Sequence, residues 1–258
     1  MALKKILLSI LGEKKYLAFL AASFQRLYPT GRLGSQYQDI YFLKKFITPG
    51  SICVDIGAHL GYYTLELSRL AGPSGKVVAV EPVSKFNQTL QQLLKRRKAD
   101  NAKLYQVALG GEGEWVEMGI PRIGNTKKFA YARVTSSHDQ LNYVETEKVR
   151  NESGDHLFLG LSRVDFIKCD VEGLEVSVFR SMMATLSTHR PILLCELGDK
   201  KDRIQLYEMI QPLGYRPYLL EKGKLHLLDV HSDRIAISHN HYFIPAKQEE
   251  RLKGLIFG

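Results

Sequence analysis

Apolar positions change rhythm along the chain, and each change marks an element. Leu3, Ile6, Leu7, Ile10 and Leu11 recur at helical spacing, and Leu17, Phe19, Leu20 and Phe24 extend the apolar content. The first 28 residues therefore read as helix, broken at Pro29 and Gly31. From Ser51 onward short buried runs alternate with amphipathic ones. SICVDI (51–56) reads as a buried strand ending at a glycine turn, 62–70 as helix, and AGPSG (71–75) as a turn. KVVAV (76–80) is the second strand, 85–97 the second helix and 102–108 the third strand. The rhythm returns at VDFIKC (164–169), with a helix from Leu174, and at PILLCE (191–196). Then come a helix over 202–210 and late strands YRPYLLE (215–221), KLHLLDV (224–230) and HYFIPA (241–246), one of them antiparallel. Strand, crossover helix and strand in repetition predict an α/β fold: a doubly wound, mostly parallel sheet with an N-terminal helical arm.

The stretch 110–160 breaks this rhythm. EWVEMGIP (114–121) reads as a strand, and the residues after it are rich in Ser, Thr, Asn and charge. Long irregular inserts in compact domains are usually functional loops, so this one reads as a substrate-facing insertion. The organisation is then an arm (1–34), an α/β domain (35–246) and a C-terminal tail (247–258).

Composition adds limits. The 258 residues are 45% hydrophobic and 24% charged, enough for one domain with a full core. No apolar run reaches the roughly 18 residues that span a bilayer, and no secretory signal is evident. Cys53, Cys169 and Cys195 sit in strand-like runs with no paired spacing. They read as buried thiols, with a reducing cytoplasm as the default location. The net charge of +9 favours anionic partners. Part of it is local: residues 1–35 carry Lys4, Lys5, Lys14, Lys15, Arg26 and Arg32 against Glu13. Such a basic amphipathic arm caps the domain, lies on a membrane surface or pairs with a second copy, capping being the commonest fate. The cations at 95–98 end a helix, where they stabilise its C-terminus.

Candidate chemistry centres on the first glycine turn. Ligands of doubly wound sheets bind beyond the carboxyl ends of the strands. Here the turn reads D-x-G-x-x-x-G (Asp55, Gly57, Gly61), not the dinucleotide G-x-G-x-x-G. The glycines let backbone approach a ligand closely. A carboxylate at Asp55 would repel pyrophosphate but suits a cationic ligand such as S-adenosylmethionine, which carries an ammonium and a sulfonium. The cofactor-binding set is then Asp55, Gly57, Ala58, His59, Gly61, Tyr62 and Thr64 of the turn. Glu81, twenty residues after Gly61, is placed to accept ribose hydroxyls, with Pro82 ending its strand. Ala108 offers an apolar wall for adenine.

A second set of acids follows strand four. Asp170 and Glu172 stand at its tip, Glu175 enters the next helix where it complements the macrodipole, and Glu196 ends strand five. Asp170, Glu172 and Glu196 are predicted to converge on one rim. There a carboxylate can act as general base toward an alcohol. Two or three of these oxygens can instead hold Mg²⁺, the weaker option because no further ligand spacing supports it. His59 and His138 are other candidate bases, His59 being nearer the turn.

These residues resemble the FkbM-type methyltransferases. The matching pieces are VDIGAHLGYYT (54–64), GPSGKVVAVEP (72–82), NAKLYQVALG (101–110), VDFIKCDVEGLEVSVFR (164–180) and PILLCEL (191–197), with DVEG the most specific. The resemblance covers about 35–246. It implies a Rossmann-like fold of the class I methyltransferase type and O-methylation of a sugar, glycan or secondary-metabolite hydroxyl. It also implies cofactor contacts at Asp55, Gly57, Gly61, Glu81 and Asp170. For the reaction itself, the acids of the rim predict Glu172 or Glu196 as base, with Asp170 nearer the methionine end of the cofactor. Two departures stand out. His59 replaces the family's usual Asn, and Asn151-Glu152-Ser153 stands where a Thr-Leu-Asp segment is common. The expected partner is a small-molecule or glycan hydroxyl. Two alternatives are kept: a nucleic-acid methyltransferase, disfavoured because DVEG replaces an Asn/Asp-Pro-Pro-aromatic segment, and a non-catalytic cofactor-binding module apposed to a membrane through residues 1–28.

Overall fold

Burial decides which runs become central strands. In the computed structural model, which describes residues 2–31, 33–34, 37–124, 126–135, 141–232 and 240–257, the most apolar runs lie in the middle of the main sheet. Arg32 and His138 lie outside the described residues. The elements, in chain order, begin with α1 (Ala2–Leu27), α2 (Gln38–Phe42), β1 (Ile52–Ile56), α3 (Tyr62–Ala71), β2 (Lys76–Val80) and α4 (Ser84–Arg97). Next come β3 (Ala102–Tyr105), β4 (Ala108–Leu109), β5 (Trp115–Ile123), β6 (Thr126–Lys127), β7 (Arg133–Val134), β8 (Asn142–Glu152) and α5 (Gly154–Phe158). The third part holds β9 (Phe166–Cys169), α6 (Glu175–Arg180), α7 (Met183–His189), β10 (Ile192–Glu196) and α8 (Lys200–Ile210). The chain closes with β11 (Tyr215–Glu221), β12 (Lys224–Leu227), β13 (Asn240–Pro245) and α9 (Ala246–Leu252).

The main sheet runs β12-β11-β13-β10-β9-β1-β2-β3. β10, β9, β1, β2 and β3 are mutually parallel. Their register aligns the strand tips: Ile56 is level with Val80 and Cys169, and Cys169 with Cys195. One step further on stand Gly57, Glu81, Asp170 and Glu196, so four of the predicted site residues share one rim. All three cysteines are buried free thiols.

Four expectations change. The predicted third strand, 102–108, divides, because β3 ends at Tyr105 and β4 leaves to pair with β8 in a second sheet. The stretch 110–160 is not an irregular insert. Its β5 and β8 form a long antiparallel pair, extended by β6 and β7. Two late strands are antiparallel, not one: β13 runs against both β10 and β11, and β12 runs against β11. The segment read as a tail also has structure, for α9 buries Leu252 and Ile256 bridges back to Leu225.

The arm bends at Gly12, whose φ of 71° lies outside the helical range. Beyond the bend Tyr16, Leu17 and Ala21 join the apolar cluster of α3, α4 and the second sheet. Phe24 stacks on Tyr62 with ring centroids 3.9 Å apart. Glu13 accepts from Lys85 and Lys127, both of which also pair with Glu145, so charge ties α1 to α4, β6 and β8. The sequence boundary near residue 35 therefore divides segments that share a core. Among the described residues no helix is long and apolar enough to cross a membrane.

Candidate active site

A cavity of about 370 Å³ opens at the carboxyl rim, within the usual range for small-molecule sites. Its floor is the glycine turn. Gly57 has φ 77°, and a Cβ there would lie 1.7 Å from the carbonyl oxygen of Asp170. At Gly61, φ 80°, a Cβ would lie 2.3 Å from Cδ1 of Leu90. The close approaches that require glycine are thus to the loop after β9 and to α4, where the sequence suggests the ligand.

Asp55 is fully buried. Its side chain turns toward α3, where Thr64 Oγ1 donates to Oδ2 at 2.5 Å. Its other oxygen, Oδ1, has no hydrogen bond and lies 4.0 Å from Lys168 Nζ. Asp55, Gly61 and Thr64 do not line the cavity; they brace its floor from behind. Gly57, Ala58, His59, Tyr62, Glu81, Pro82, Ala108, Asp170, Glu172 and Glu196 do line it.

Glu81 closes the loop above β2. It accepts from the backbone N–H of His59 at 2.7 Å and of Val83 at 2.8 Å. Burial still pushes its carboxyl up to about 7, against the pull of those two bonds. His59 sits at φ 47°, its ring edge-on to Phe86 at 4.4 Å, and its Nε2 is buried without a hydrogen-bond partner. Burial, helped by Lys168, lowers it to about 4. A neutral imidazole of so low a pKa is a weak base near pH 7, so the structure turns His59 from candidate base into candidate hydrogen-bonding group.

Lys168 is a residue that the sequence pattern did not single out. It sits mid-strand in the apolar run VDFIKC, and that interruption was the available signal. Its ammonium donates to Asp170 Oδ2 at 3.0 Å and to the Gly57 carbonyl at 3.4 Å, and lies 5.1 Å from the Tyr63 ring centroid. Burial opposes its charge, but Asp170 and Asp55 outweigh this and hold it above the ordinary lysine range.

The remaining acids differ in role. Glu175 folds back to accept from the N–H groups of Val171 and Gly173, at 2.9 and 3.1 Å, and so pins the DVEG loop as well as sitting at the start of α6. Glu172 occupies the left-handed region, φ 61°, and Arg133 of β7 holds its Oε2 at 3.2 Å. Burial first, then Asp170 and Glu196, push its carboxyl up to about 7. Glu196 is pushed up to about 7 by burial and by Asp170, with Lys168 opposing. The second sheet, through Met118 and Val134, and the 3-10 turn between β6 and β7, through Phe129 and Tyr131, supply a further wall. The segment Asn151-Glu152-Ser153 stays away from the cavity: Asn151 ties down Gly111 and Gly113, and Ser153 caps α5. Among the described residues no group of three or more His, Cys, Asp or Glu is placed to hold a metal ion.

With this rim in view, the comparison that decides the family is a match of the Methyltransferase FkbM domain to residues 55–226, well over half the chain. The chain belongs to the FkbM methyltransferase family. Methyltransferase 1 of Beauveria bassiana (strain ARSEF 2860) is 29% identical over 148 residues, 51% of this chain and 58% of that protein. The crystal structure of Methyltransferase FkbM from Methylobacillus flagellatus KT aligns over 78% of this chain and 47% of its own, at 20% identity and a TM-score of 0.49. An SAM-dependent O-methyltransferase from Thermotoga maritima aligns over 85% of this chain and 69% of its own, at 14% identity and a TM-score of 0.46. The chain thus spans little more than half of the first relative and about half of the first structure. As an FkbM domain, it places the most specific motif, DVEG, on the loop between β9 and α6, at the cavity rim.

Proposed function

We propose that this FkbM domain transfers a methyl group from S-adenosylmethionine to a hydroxyl of a sugar, glycan or secondary metabolite. The observation that carries this reading is the charge of the cavity. Glu81, Asp170, Glu172 and Glu196 line it, and its single lining cation among the described residues, Lys168, is already engaged by Asp170. An acid-lined, partly apolar cavity suits a cofactor with two cationic centres and a purine. The unpartnered Nε2 of His59 leaves a further hydrogen bond for it. The same acids repel a carboxylate acceptor, which favours a neutral hydroxyl.

When bound, S-adenosylmethionine supplies an already activated methyl group. The protein's task is then to align the acceptor and take its proton. In this reading Glu81 receives ribose hydroxyls, Ala108 and Phe86 flank the purine, and Asp170 meets the ammonium end. Glu172 and Glu196, both near 7, are poised to accept a proton at neutral pH. Calorimetry with S-adenosylmethionine tests the site: Glu81→Gln and Asp170→Asn should each weaken binding about tenfold or more. No measurable binding to the unmodified chain would sink the reading. Incubating labelled cofactor with candidate acceptors tests the reaction, because an ether product keeps its label in mild base and a methyl ester loses it.

A further inference from the structure

Helix α1 has two faces with different fates. Its inner face is spent on the core through Tyr16, Leu17, Ala21 and Phe24. Its outer face is unspent. Among the described residues nine large apolar side chains are exposed, and three of them, Ile10, Phe19 and Leu27, belong to this one helix, at 74%, 47% and 50% exposure. A third of the exposed apolar groups on a tenth of the chain is a concentration that scattered surface residues do not give. Just before the bend at Gly12, Leu7, Leu8 and Leu11 stay only half-buried.

The exposed charged residues described on this helix are all of one sign. Lys14, Lys15 and Arg26 are exposed. Lys15, Phe19, Ala22 and Arg26 follow one another at spacings of four, three and four, which is a single helical stripe. The one acid of the helix, Glu13, is turned away and engaged by Lys85 and Lys127. A face of large apolar groups among cations, with no acid, is the composition of a helix that lies in a membrane interface.

We propose that the outer face of α1 docks the protein on an anionic lipid bilayer. Phe19 and Leu27 enter the interface, with Ile10 following across the bend at Gly12; Lys15 and Arg26 on the stripe, with Lys14 at its flank, meet anionic headgroups. Charge favours a bilayer over a second copy of this chain. A two-fold contact through this face would bring Lys14, Lys15 and Arg26 of both copies together with no acid between them.

The test is flotation of the full chain with vesicles of phosphatidylcholine alone or mixed with phosphatidylglycerol. Binding to the mixed vesicles alone is expected, with loss at high salt. Lys14→Gln with Lys15→Gln should lower the partition more than tenfold, since each cation near an anionic surface contributes about a fivefold change. Ile10→Asp with Phe19→Asp should abolish it. These positions face outward, so melting curves and S-adenosylmethionine binding should stay as in the unmodified chain, and flotation would report docking alone. Equal binding to both vesicle types would overturn the proposal, as would partition indifferent to these substitutions. Self-association in sedimentation velocity that Phe19→Asp removes, without any vesicle binding, would overturn it in favour of a second copy.

Discussion

The two ends of the same parallel strands are chemical opposites. At the carboxyl rim the cavity is lined by Glu81, Asp170, Glu172 and Glu196. At the amino rim a groove of about 1110 Å³ is lined by Arg69, Lys76, Arg97, Lys98, Lys103 and Arg163, with Asp100 as its one acid among the described residues. The fold itself explains part of this. Crossover helices such as α3 and α4 start at the carboxyl rim and end at the amino rim, so acids meet the positive ends of helix dipoles and cations the negative ends. The comparison also shows what a net charge of +9 conceals. The excess sits away from the cavity, and the cavity carries the opposite sign. Size misleads in the same way, because the larger depression lies at the end of the sheet away from the acids.

The two rims differ most in what they ask of a lysine. Lys168 is buried against Asp55 and Asp170, whereas Lys76 is exposed at the start of β2. Lys168→Met leaves two carboxylates without their counter-charge, one of them fully buried. Breaking a buried pair in this way costs roughly 3–5 kcal/mol. Lys76→Met should stay within about 0.5 kcal/mol. Denaturant unfolding of the two variants measures both. Equal losses would mean that Lys168 is not the electrostatic keystone of the rim.

The acidic rim also responds to pH. Glu81, Glu172 and Glu196 stand near 7 in the fold against 4.5 for a free glutamate. Between those values the folded chain holds protons that the unfolded chain has released. Stability contributed by these groups is therefore present below the unfolded value and declines as pH rises toward 7. Affinity for a cationic cofactor should move the other way, rising about tenfold for each unit by which binding lowers a carboxyl pKa. Calorimetry from pH 5 to pH 8, with melting curves alongside, checks both signs. A cofactor affinity that falls with rising pH would contradict the acid-rim account.

How much of this was legible in the sequence depends on what each region buries. β2 and β11 were bounded correctly because continuous apolar runs between turn residues admit few other readings. β8 was not seen. Its eleven residues, NYVETEKVRNE, bury only Val149, and backbone pairing with β5 holds them in place. A strand with one buried side chain leaves almost no hydrophobic pattern to read. At the site, register places Gly57, Glu81, Asp170 and Glu196 together, and their positions at run ends predicted it. Lys168 was hidden for the opposite reason to β8: an apolar run absorbed it. Direction was also beyond the pattern. Asp55 belongs to the motif but turns toward Thr64 of α3, which only the alternation of side chains along β1 decides.

His59 gives a smaller effect. Its Nε2 is the one buried side-chain polar atom of the cavity lining, among the described residues, that has no hydrogen bond. If it meets the cofactor, His59→Phe should weaken S-adenosylmethionine about fivefold, the value of one net hydrogen bond. His59→Asn, which restores the amide common in the family, should recover most of that loss. Binding unchanged in both variants would leave the imidazole as packing against Phe86.

The smallest expected effect tests whether strain is spent differently at the two rims. Lys98 and Glu172 are both non-glycine residues in the left-handed region, at φ 52° and 61°. Lys98 ends α4 beside the amino-rim groove, its N–H returned to Leu94 and Lys95. Glycine at that position should stabilise by roughly 0.5–1 kcal/mol, because it relieves the Cβ clash and keeps the cap. Lys98→Gly should therefore melt slightly higher with cofactor binding unchanged. Glu172→Gly relieves the same clash but also removes the ion pair with Arg133 and a cavity carboxylate. It should gain less stability and lose methyl transfer. Strain at Glu172 is tied to a cavity carboxylate and an ion pair, whereas at Lys98 it is tied to neither. If Glu172→Gly stayed fully active, the strained carboxylate would be no more than a loop residue, and Glu196 would be left as the base.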